Sequence, residues 1–126
     1  MPQPENATVD GIFEIEPNDD TIIIVPTVDL QELNFQQIED GAQRVLDLLK
    51  ETSVTHVIMD FRKAGSYGAT ALSFFVTLWR QVSRRNGRLA FCNVSDHEKE
   101  ILQITNLDHL WPICSSRSEA LAAVRE

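Results

Sequence analysis

Cysteine is scarce in this sequence, whose 126 residues contain only Cys92 and Cys114. Two cysteines are too few for the disulfide framework that holds a small secreted domain together. Both lie among apolar neighbours, so we expect reduced, buried thiols.

Long hydrophobic runs are also missing. No apolar stretch approaches the roughly 20 residues that a membrane-spanning helix needs. The first residues, Met-Pro-Gln-Pro-Glu-Asn, have neither the basic segment nor the apolar segment of a signal peptide. We therefore expect a cytoplasmic protein that does not bind membranes.

Positive charge is in short supply as well. The chain has 11 Lys and Arg residues against 19 Asp and Glu residues, which gives a net charge of −8 at pH 7. Such a surface repels nucleic-acid phosphates and anionic lipids. Neither nucleic acid nor a membrane is therefore expected as a partner.

The sequence does contain enough apolar material for one hydrophobic core. Apolar residues make up 43% of the chain, and its length is typical of a single domain. Residues 1–10 mix polar residues and proline without periodicity, which predicts a flexible N-terminal tail. Residues 11–126 are then expected to form the domain.

The first two strands are predicted from side-chain alternation and a turn. Residues 11–16 alternate apolar and polar side chains, residues 17–20 read Pro-Asn-Asp-Asp, and residues 21–25 form a β-branched run. This pattern indicates a hairpin. Its second strand is apolar on both faces and should lie inside the sheet, whereas the first should lie at an edge.

Helices and strands alternate along the rest of the chain. Helical spacing and N-cap residues predict helices that begin after Asn34, at about Ala69, after Ser95 and after Ser116. The further predicted strands are residues 54–61, 88–94 and 110–114. The order ββαβαβαβα requires parallel pairing through right-handed crossovers. We therefore predict an α/β fold with about four helices and a mostly parallel central sheet that has an antiparallel N-terminal edge strand.

The turn before the second helix is the candidate functional site. It reads Ala-Gly-Ser-Tyr-Gly at residues 64–68, and a nearly all-apolar helix follows at about Ala69. Gly65 and Gly68 free the backbone for turn angles or for close approach. The helix start supplies unpaired N–H groups and the positive end of a macrodipole, which suit an anion, a phosphorylated hydroxyl or a partner's side chains.

The second helix carries more apolar surface than one buried face needs. Its predicted inward face consists of Leu72, Phe75, Val76 and Trp79. Phe74 and Leu78 lie on another face, where they either pack against a neighbouring helix or contact a partner.

Four of the 11 basic residues gather around the end of this helix: Arg80, Arg84, Arg85 and Arg88. One explanation is compensation of the helix macrodipole, which favours cations near a helix C-terminus. The other is a contact with an acidic partner.

Two chemical motifs are incomplete. The turn differs from a Gly-x-Ser-x-Gly nucleophile elbow at its first position, and the chain is short for such a hydrolase although Asp108 and His109 follow. A symmetric set with possible metal ligands is formed by Cys92, His97, His109 and Cys114. It lacks the Cys-x2-Cys pairs of common zinc sites. We therefore expect no catalytic residues, no metal and no cofactor.

Together these features resemble a STAS domain, and in particular the bacterial anti-sigma factor antagonists. The resemblance rests on the order of elements, on Asp29 before the first helix, and on Asp-Phe-Arg at residues 60–62. It also includes Ala-Leu at residues 71–72 and Asn-Leu-Asp-His-Leu-Trp-Pro-Ile at residues 106–113. It covers essentially the whole chain.

In that family the turn commonly reads Asp-Ser-Ser-Gly-Leu, and a partner kinase that is also the anti-sigma factor phosphorylates the first serine. In this sequence Gly68 takes the place of the aspartate, Ala69 that of the phosphorylated serine, and Thr70 that of the second serine. Alanine cannot carry a phosphate. Either the switch is absent, or the acceptor has moved to Thr70 or Ser66, or Ala69 was introduced to hold the unmodified state.

The resemblance implies a non-enzymatic, protein-binding regulatory module, an anti-sigma factor antagonist in a partner-switching pathway. The implied partner is an anti-sigma factor and serine kinase of the histidine-kinase-like ATPase type, and a homodimer is a further candidate. The alternatives are a STAS scaffold or accessory subunit of a stressosome-like or lipid-transport assembly, and a small nucleotide or anion sensor. The expected docking residues are Asp29, Gly65, Ser66, Tyr67, Gly68, Ala69, Thr70, Phe74 and Leu78.

Overall fold

The strands form one mixed sheet in the computed structural model, which describes residues 7–126. Within these residues the six strands are β1 (Ala7–Val9), β2 (Phe13–Asn18), β3 (Thr21–Pro26), β4 (His56–Asp60), β5 (Leu89–Cys92) and β6 (Ile113–Cys114). They lie side by side in chain order. β1, β2 and β3 pair antiparallel, and β3 to β6 pair parallel. The predicted α/β fold, with antiparallel pairing at the N-terminus and parallel pairing beyond it, is confirmed.

Four α-helices connect or follow the strands within residues 7–126. They are α1 (Phe35–Lys50), α2 (Ala69–Arg84), α3 (Asp96–Ile104) and α4 (Arg117–Arg125). Buried side chains of α1, α2 and α3 join one large core, whereas those of α4 join a smaller second core. The sheet therefore has helices on both faces. Among the described residues, no helix is long and apolar enough to cross a membrane.

Two predictions about the N-terminus are wrong. Ala7–Val9 forms a strand instead of continuing a flexible tail, and residues 1–6 lie outside the described residues. Because β1 pairs with β2, the first strand of the predicted hairpin is internal and β1 forms the edge. A three-residue strand is too short for an alternation pattern to predict it.

The orientation of α2 also differs from the prediction. Phe74 and Leu78 are only 5% and 0% exposed, whereas Leu72, Val76 and Trp79 are partly exposed. The ring of Phe74 lies 5.6 Å from that of Phe13 in the sheet, and Phe74 also lies beside residues of α1. Packing inside the protein is therefore the correct alternative for this pair, and their assignment as docking residues is wrong. Two apolar stripes on one helix leave periodicity unable to choose between them.

The connection from α2 to β5 depends on a residue without a side chain. A Cβ added at Gly87 would overlap the backbone carbonyl of Thr55, and a backbone group cannot swing aside as a flexible side chain can. At Gly65, in contrast, nothing lies within 4 Å of an added Cβ.

We expect Gly87→Ala to lower the free energy of unfolding by about 2 kcal/mol or more, because the overlap forces the backbone to shift. Gly65→Ala is the matched control and should change that free energy by less than about 0.5 kcal/mol. Urea denaturation of both variants measures the difference, and equal stability of the two would contradict the packing at Gly87.

Candidate functional site

The candidate site begins where β4 ends, at the carboxylate of Asp60, a residue of the family resemblance for which no role at the site was predicted. Asp60 is fully buried. It accepts hydrogen bonds from the Arg62 N–H at 3.0 Å, from Asn93 Nδ2 at 2.8 Å and from Arg117 Nε at 2.9 Å. These donors come from the following loop, from the end of β5 and from the start of α4. The end of β4 is therefore held from three sides.

Aromatic rings support the loop from below. The ring centroid of Tyr67 lies 5.3 Å from that of Phe61 and 5.1 Å from that of Phe75. Tyr67 is only 2% exposed, and its hydroxyl donates a hydrogen bond to the backbone carbonyl of Glu98 at 3.0 Å. Burial raises the pKa of Tyr67 well above its usual range. The predicted role of Tyr67 as a polar docking contact is therefore wrong, because the residue anchors the loop.

Asp29 fixes the other side of the loop. Its Oδ1 accepts a hydrogen bond from the Ser66 N–H at 3.3 Å. The neighbouring Leu30 N–H donates to the Ser66 carbonyl at 2.9 Å. Asp29 and Ser66 are thus brought together, as the sequence analysis expected of the site, although they lie 37 positions apart. Asp29 uses this oxygen within the protein, to hold the turn in place.

The two glycines of the turn have ordinary backbone conformations. Neither Gly65 nor Gly68 has a positive φ angle, and Gly68 has φ −101°. An added Cβ would meet nothing within 4 Å at Gly65, and at Gly68 it would be in ordinary contact with Gln31 at 3.9 Å. Of the two roles expected for these glycines, special turn angles are therefore not observed, and close approach of a partner stays a prediction. Their effect is to leave the surface of the turn bare.

The start of α2 differs from the starts of the other three α-helices of residues 7–126. The side chains of Asn34, Ser95 and Ser116 cap α1, α3 and α4 by accepting a backbone N–H hydrogen bond. At α2 the N-cap is Gly68, and no side chain forms a cap. Ala69 is exposed at the first helical position and Thr70 is partly buried beside it. Backbone donors at the positive end of this helix are therefore left to solvent or to a partner.

A buried acid lies next to the loop. Glu98 is only 2% exposed, and its Oε2 has no hydrogen-bond partner among the described residues. Burial raises the pKa of Glu98, His97 and a hydrogen bond from the Tyr67 backbone oppose the shift, and the nearby charge of Asp29 adds to it. The predicted N-cap at Ser95 is formed, since the Glu98 N–H donates a hydrogen bond to Ser95 Oγ at 3.3 Å.

The residues of the two incomplete motifs lie in different surroundings. His109 is largely exposed and lies 3.9 Å from the carboxylate of its neighbour Asp108. Cys92 and Cys114 form no disulfide and lie opposite each other on the neighbouring strands β5 and β6. His97 is exposed on α3. Cys92 is buried as predicted, but Cys114 is only partly buried. Residues 7–126 contain no group of three or more side chains that could hold a metal ion.

Comparison with known proteins identifies one family. The family model of the STAS domain matches residues 13–120, which is most of the chain. A Thermotoga maritima protein described as an anti-sigma factor antagonist is 24% identical over 107 residues, which are 85% of this chain and 92% of that protein.

Solved structures share the fold. An anti-sigma-factor antagonist (STAS) domain protein from Planctomyces limnophilus has a TM-score of 0.78 at 24% identity, over 90% of this chain and 98% of that one. The anti-sigma factor antagonist SpoIIAA in its unphosphorylated form has a TM-score of 0.74 at 18% identity, over 90% and 96%. The phosphorylated Bacillus SpoIIAA has a TM-score of 0.66 at 19% identity, over 90% and 99%.

The buried acid gives a pH dependence that can be measured. Because burial raises the pKa of Glu98 above its usual 4.5, the unfolded chain loses this proton at a lower pH than the folded protein. This group therefore makes the protein less stable as pH rises through 4.5 towards the folded pKa, and the cost persists at neutral pH.

We expect Glu98→Gln to raise the free energy of unfolding at pH 7 by about 1 kcal/mol, because glutamine does not ionise and so avoids the pH-dependent cost of burying this acid. It should also flatten the pH dependence above pH 4.5. Urea denaturation at a series of pH values measures both effects. Glu100→Gln, at an exposed position of the same helix, is the control and should follow the wild type. A Glu98→Gln variant with the wild-type pH profile would contradict the assignment.

Proposed function

The chain belongs to the STAS domain family, and on this basis we propose that it is a non-enzymatic protein-binding regulator of the anti-sigma factor antagonist type. Its partner in this proposal is an anti-sigma factor of the histidine-kinase-like ATPase type, and it acts by partner switching. The docking site consists of the turn at residues 65–68 and the exposed start of α2.

One observation carries the proposal, namely the uncapped start of α2. Three of the four α-helices of residues 7–126 have a side-chain cap, and the α-helix at this turn does not. Gly68 and Ala69 present little side-chain bulk there, so a partner can reach the backbone donors directly. Asp29, the Asp60 network and the rings around Tyr67 hold the turn in one position. A held, bare surface of this kind favours binding, because little conformational entropy is lost on docking.

The proposal includes the loss of the usual phosphorylation switch. A phosphate adds about −1.5 to −2 charges at pH 7, and Ala69 offers no hydroxyl to receive it. Ser66 is a poor substitute, because its backbone is held beside the carboxylate of Asp29 and a phosphate there would be repelled. Thr70 is partly buried. In this proposal the protein therefore stays able to bind its partner when the kinase and ATP are present.

Binding tests the docking site. We expect the wild-type protein to bind a purified histidine-kinase-like ATPase from the same genome, and Ala69→Glu to weaken that binding at least tenfold. The carboxylate places a charge in the contact, although it is compatible with a helix N-terminus and should leave the fold intact. Ser118→Glu places the same charge in the first turn of α4 and is the matched control.

Surface plasmon resonance measures the affinities, and circular dichroism checks the fold. Failure of the wild type to bind any ATPase of this type would overturn the proposed function. Equal weakening by Ser118→Glu would overturn the location of the site.

Intact-mass measurement tests the missing switch. After incubation with the bound ATPase and ATP, the wild type should keep its mass, because no acceptor hydroxyl stands at Ala69. Ala69→Ser should gain the mass of one phosphate group, and Ala69→Gly should not. A phosphate on the wild type would contradict this part of the proposal, and peptide mapping would then decide between Thr70 and Ser66.

A further inference from the structure

The arginines near the end of α2 do not share one role. Arg85 donates hydrogen bonds to the backbone carbonyls of Val54 and Leu49, both at 2.8 Å, so it ties α2 to the end of α1. Arg84 lies in the last turn of α2, where it complements the macrodipole. Arg80 lies a full turn earlier, and the macrodipole effect fades within the last turn. Macrodipole compensation therefore does not explain Arg80.

Arg80 and Arg84 are also unpaired in a chain that is rich in acids. Both are exposed, and neither has an acidic partner within 4.0 Å among residues 7–126. Five other basic residues do have such partners, namely Arg44, Arg62, Lys63, Arg117 and Arg125. Two free positive charges, one helical turn apart, thus stand on the outward side of α2 although the protein carries a net charge of −8.

Apolar side chains lie next to these charges. Leu72, Val76 and Trp79 are partly buried at the edge of the core and partly open to solvent. Val76 and Arg80 are four positions apart, so they are neighbours on the helix surface. Tryptophan and arginine are among the three side chains, with tyrosine, that are enriched among residues that dominate binding energy at protein interfaces. The outward face of α2 thus combines an apolar strip with adjacent positive charge.

We propose that this face, formed by Ala69, Leu72, Val76, Trp79, Arg80 and Arg84, docks a carboxylate-rich and partly apolar surface of the protein partner. The proposal rests on the proposed function and names the chemistry of the surface that the partner presents. Charge complementarity selects this occupant, because the face is positive on a strongly negative protein and so attracts an acidic surface while the rest of the molecule repels it.

The area of this face indicates that the interface also includes the turn at residues 65–68. A helix of 16 residues is about 24 Å long and roughly 10 Å wide. Its outward face is therefore smaller than the roughly 800 Å² that each partner buries in a stable complex. The contact must extend beyond the helix, and the bare turn at its N-terminus is continuous with it.

Association kinetics test the proposal with the ATPase that binds the wild-type protein. Arg80→Glu/Arg84→Glu should lower the association rate constant about tenfold or more at low salt, and should remove most of its dependence on sodium chloride. Lys50→Glu/Lys99→Glu makes the same change in net charge at two other basic residues without an ion pair among residues 7–126. It should stay within about threefold of the wild type. Circular dichroism and urea denaturation verify that both variants are folded.

The outcomes separate this inference from the proposed function. If Arg80→Glu/Arg84→Glu associates like the wild type while Ala69→Glu still loses binding, the proposed function stands and the acidic docking surface is wrong. If both charge-reversal pairs slow association equally, the effect comes from net charge and the inference is also wrong. If the wild type binds no ATPase of this type, both proposals fail.

Discussion

The buried carboxylate of Asp60 is the constraint on which the site depends. It holds the Arg62 backbone, the Asn93 amide and the Arg117 guanidinium, and Arg117 in turn reaches Glu16 on β2 at 3.0 Å. Removing one partner of a buried ion pair costs about 3–5 kcal/mol, because the remaining charge stays buried without compensation. The end of β4 therefore cannot shift unless β2, β5 and α4 shift with it. The loop that leads to α2 starts from a fixed point.

The aromatic rings extend this rigidity to the turn itself. Phe61 follows Asp60 directly, and its ring contacts those of Tyr67, Phe75 and Phe91 at centroid distances of 5.3 to 5.9 Å. Tyr67 is fixed a second time by the hydrogen bond from its hydroxyl to the Glu98 carbonyl. The two aromatic side chains of the loop, Phe61 and Tyr67, are therefore buried, whereas the small residues Gly65, Ser66 and Gly68 are partly exposed. The turn can thus expose little side-chain bulk and still be held in one position, because the residues that hold it are buried beneath it.

The sequence predicted what local patterns determine. The β-branched run of β3, the N-cap at Asn34 and the position of the turn are signals within a few residues, and all three match the structure. The bond from Arg117 to Asp60 joins residues 57 positions apart, and no local pattern indicates which distant arginine a buried acid will meet. The burial of Glu98 could have been predicted from helical spacing. Glu98 lies four positions before the buried Leu102 and so shares the inward face of α3.

Several features of the site are not required by the fold. Gly65 and Gly68 need neither an unusual backbone angle nor close packing, and α2 lacks the side-chain cap that the other three α-helices of residues 7–126 have. An Asp, Asn or Ser at an N-cap usually stabilises a helix relative to glycine by only a few tenths of a kcal/mol, so the missing cap costs little. Glu98 lowers the stability of the folded protein by more than the missing cap does, because its side chain is buried with an oxygen that has no hydrogen-bond partner among the described residues. Local choices that oppose stability tend to concentrate at functional sites, where another requirement prevails. In this protein the two glycines, the uncapped helix start and the buried Glu98 all lie around one turn. Their proximity supports docking at the start of α2 independently of the family resemblance.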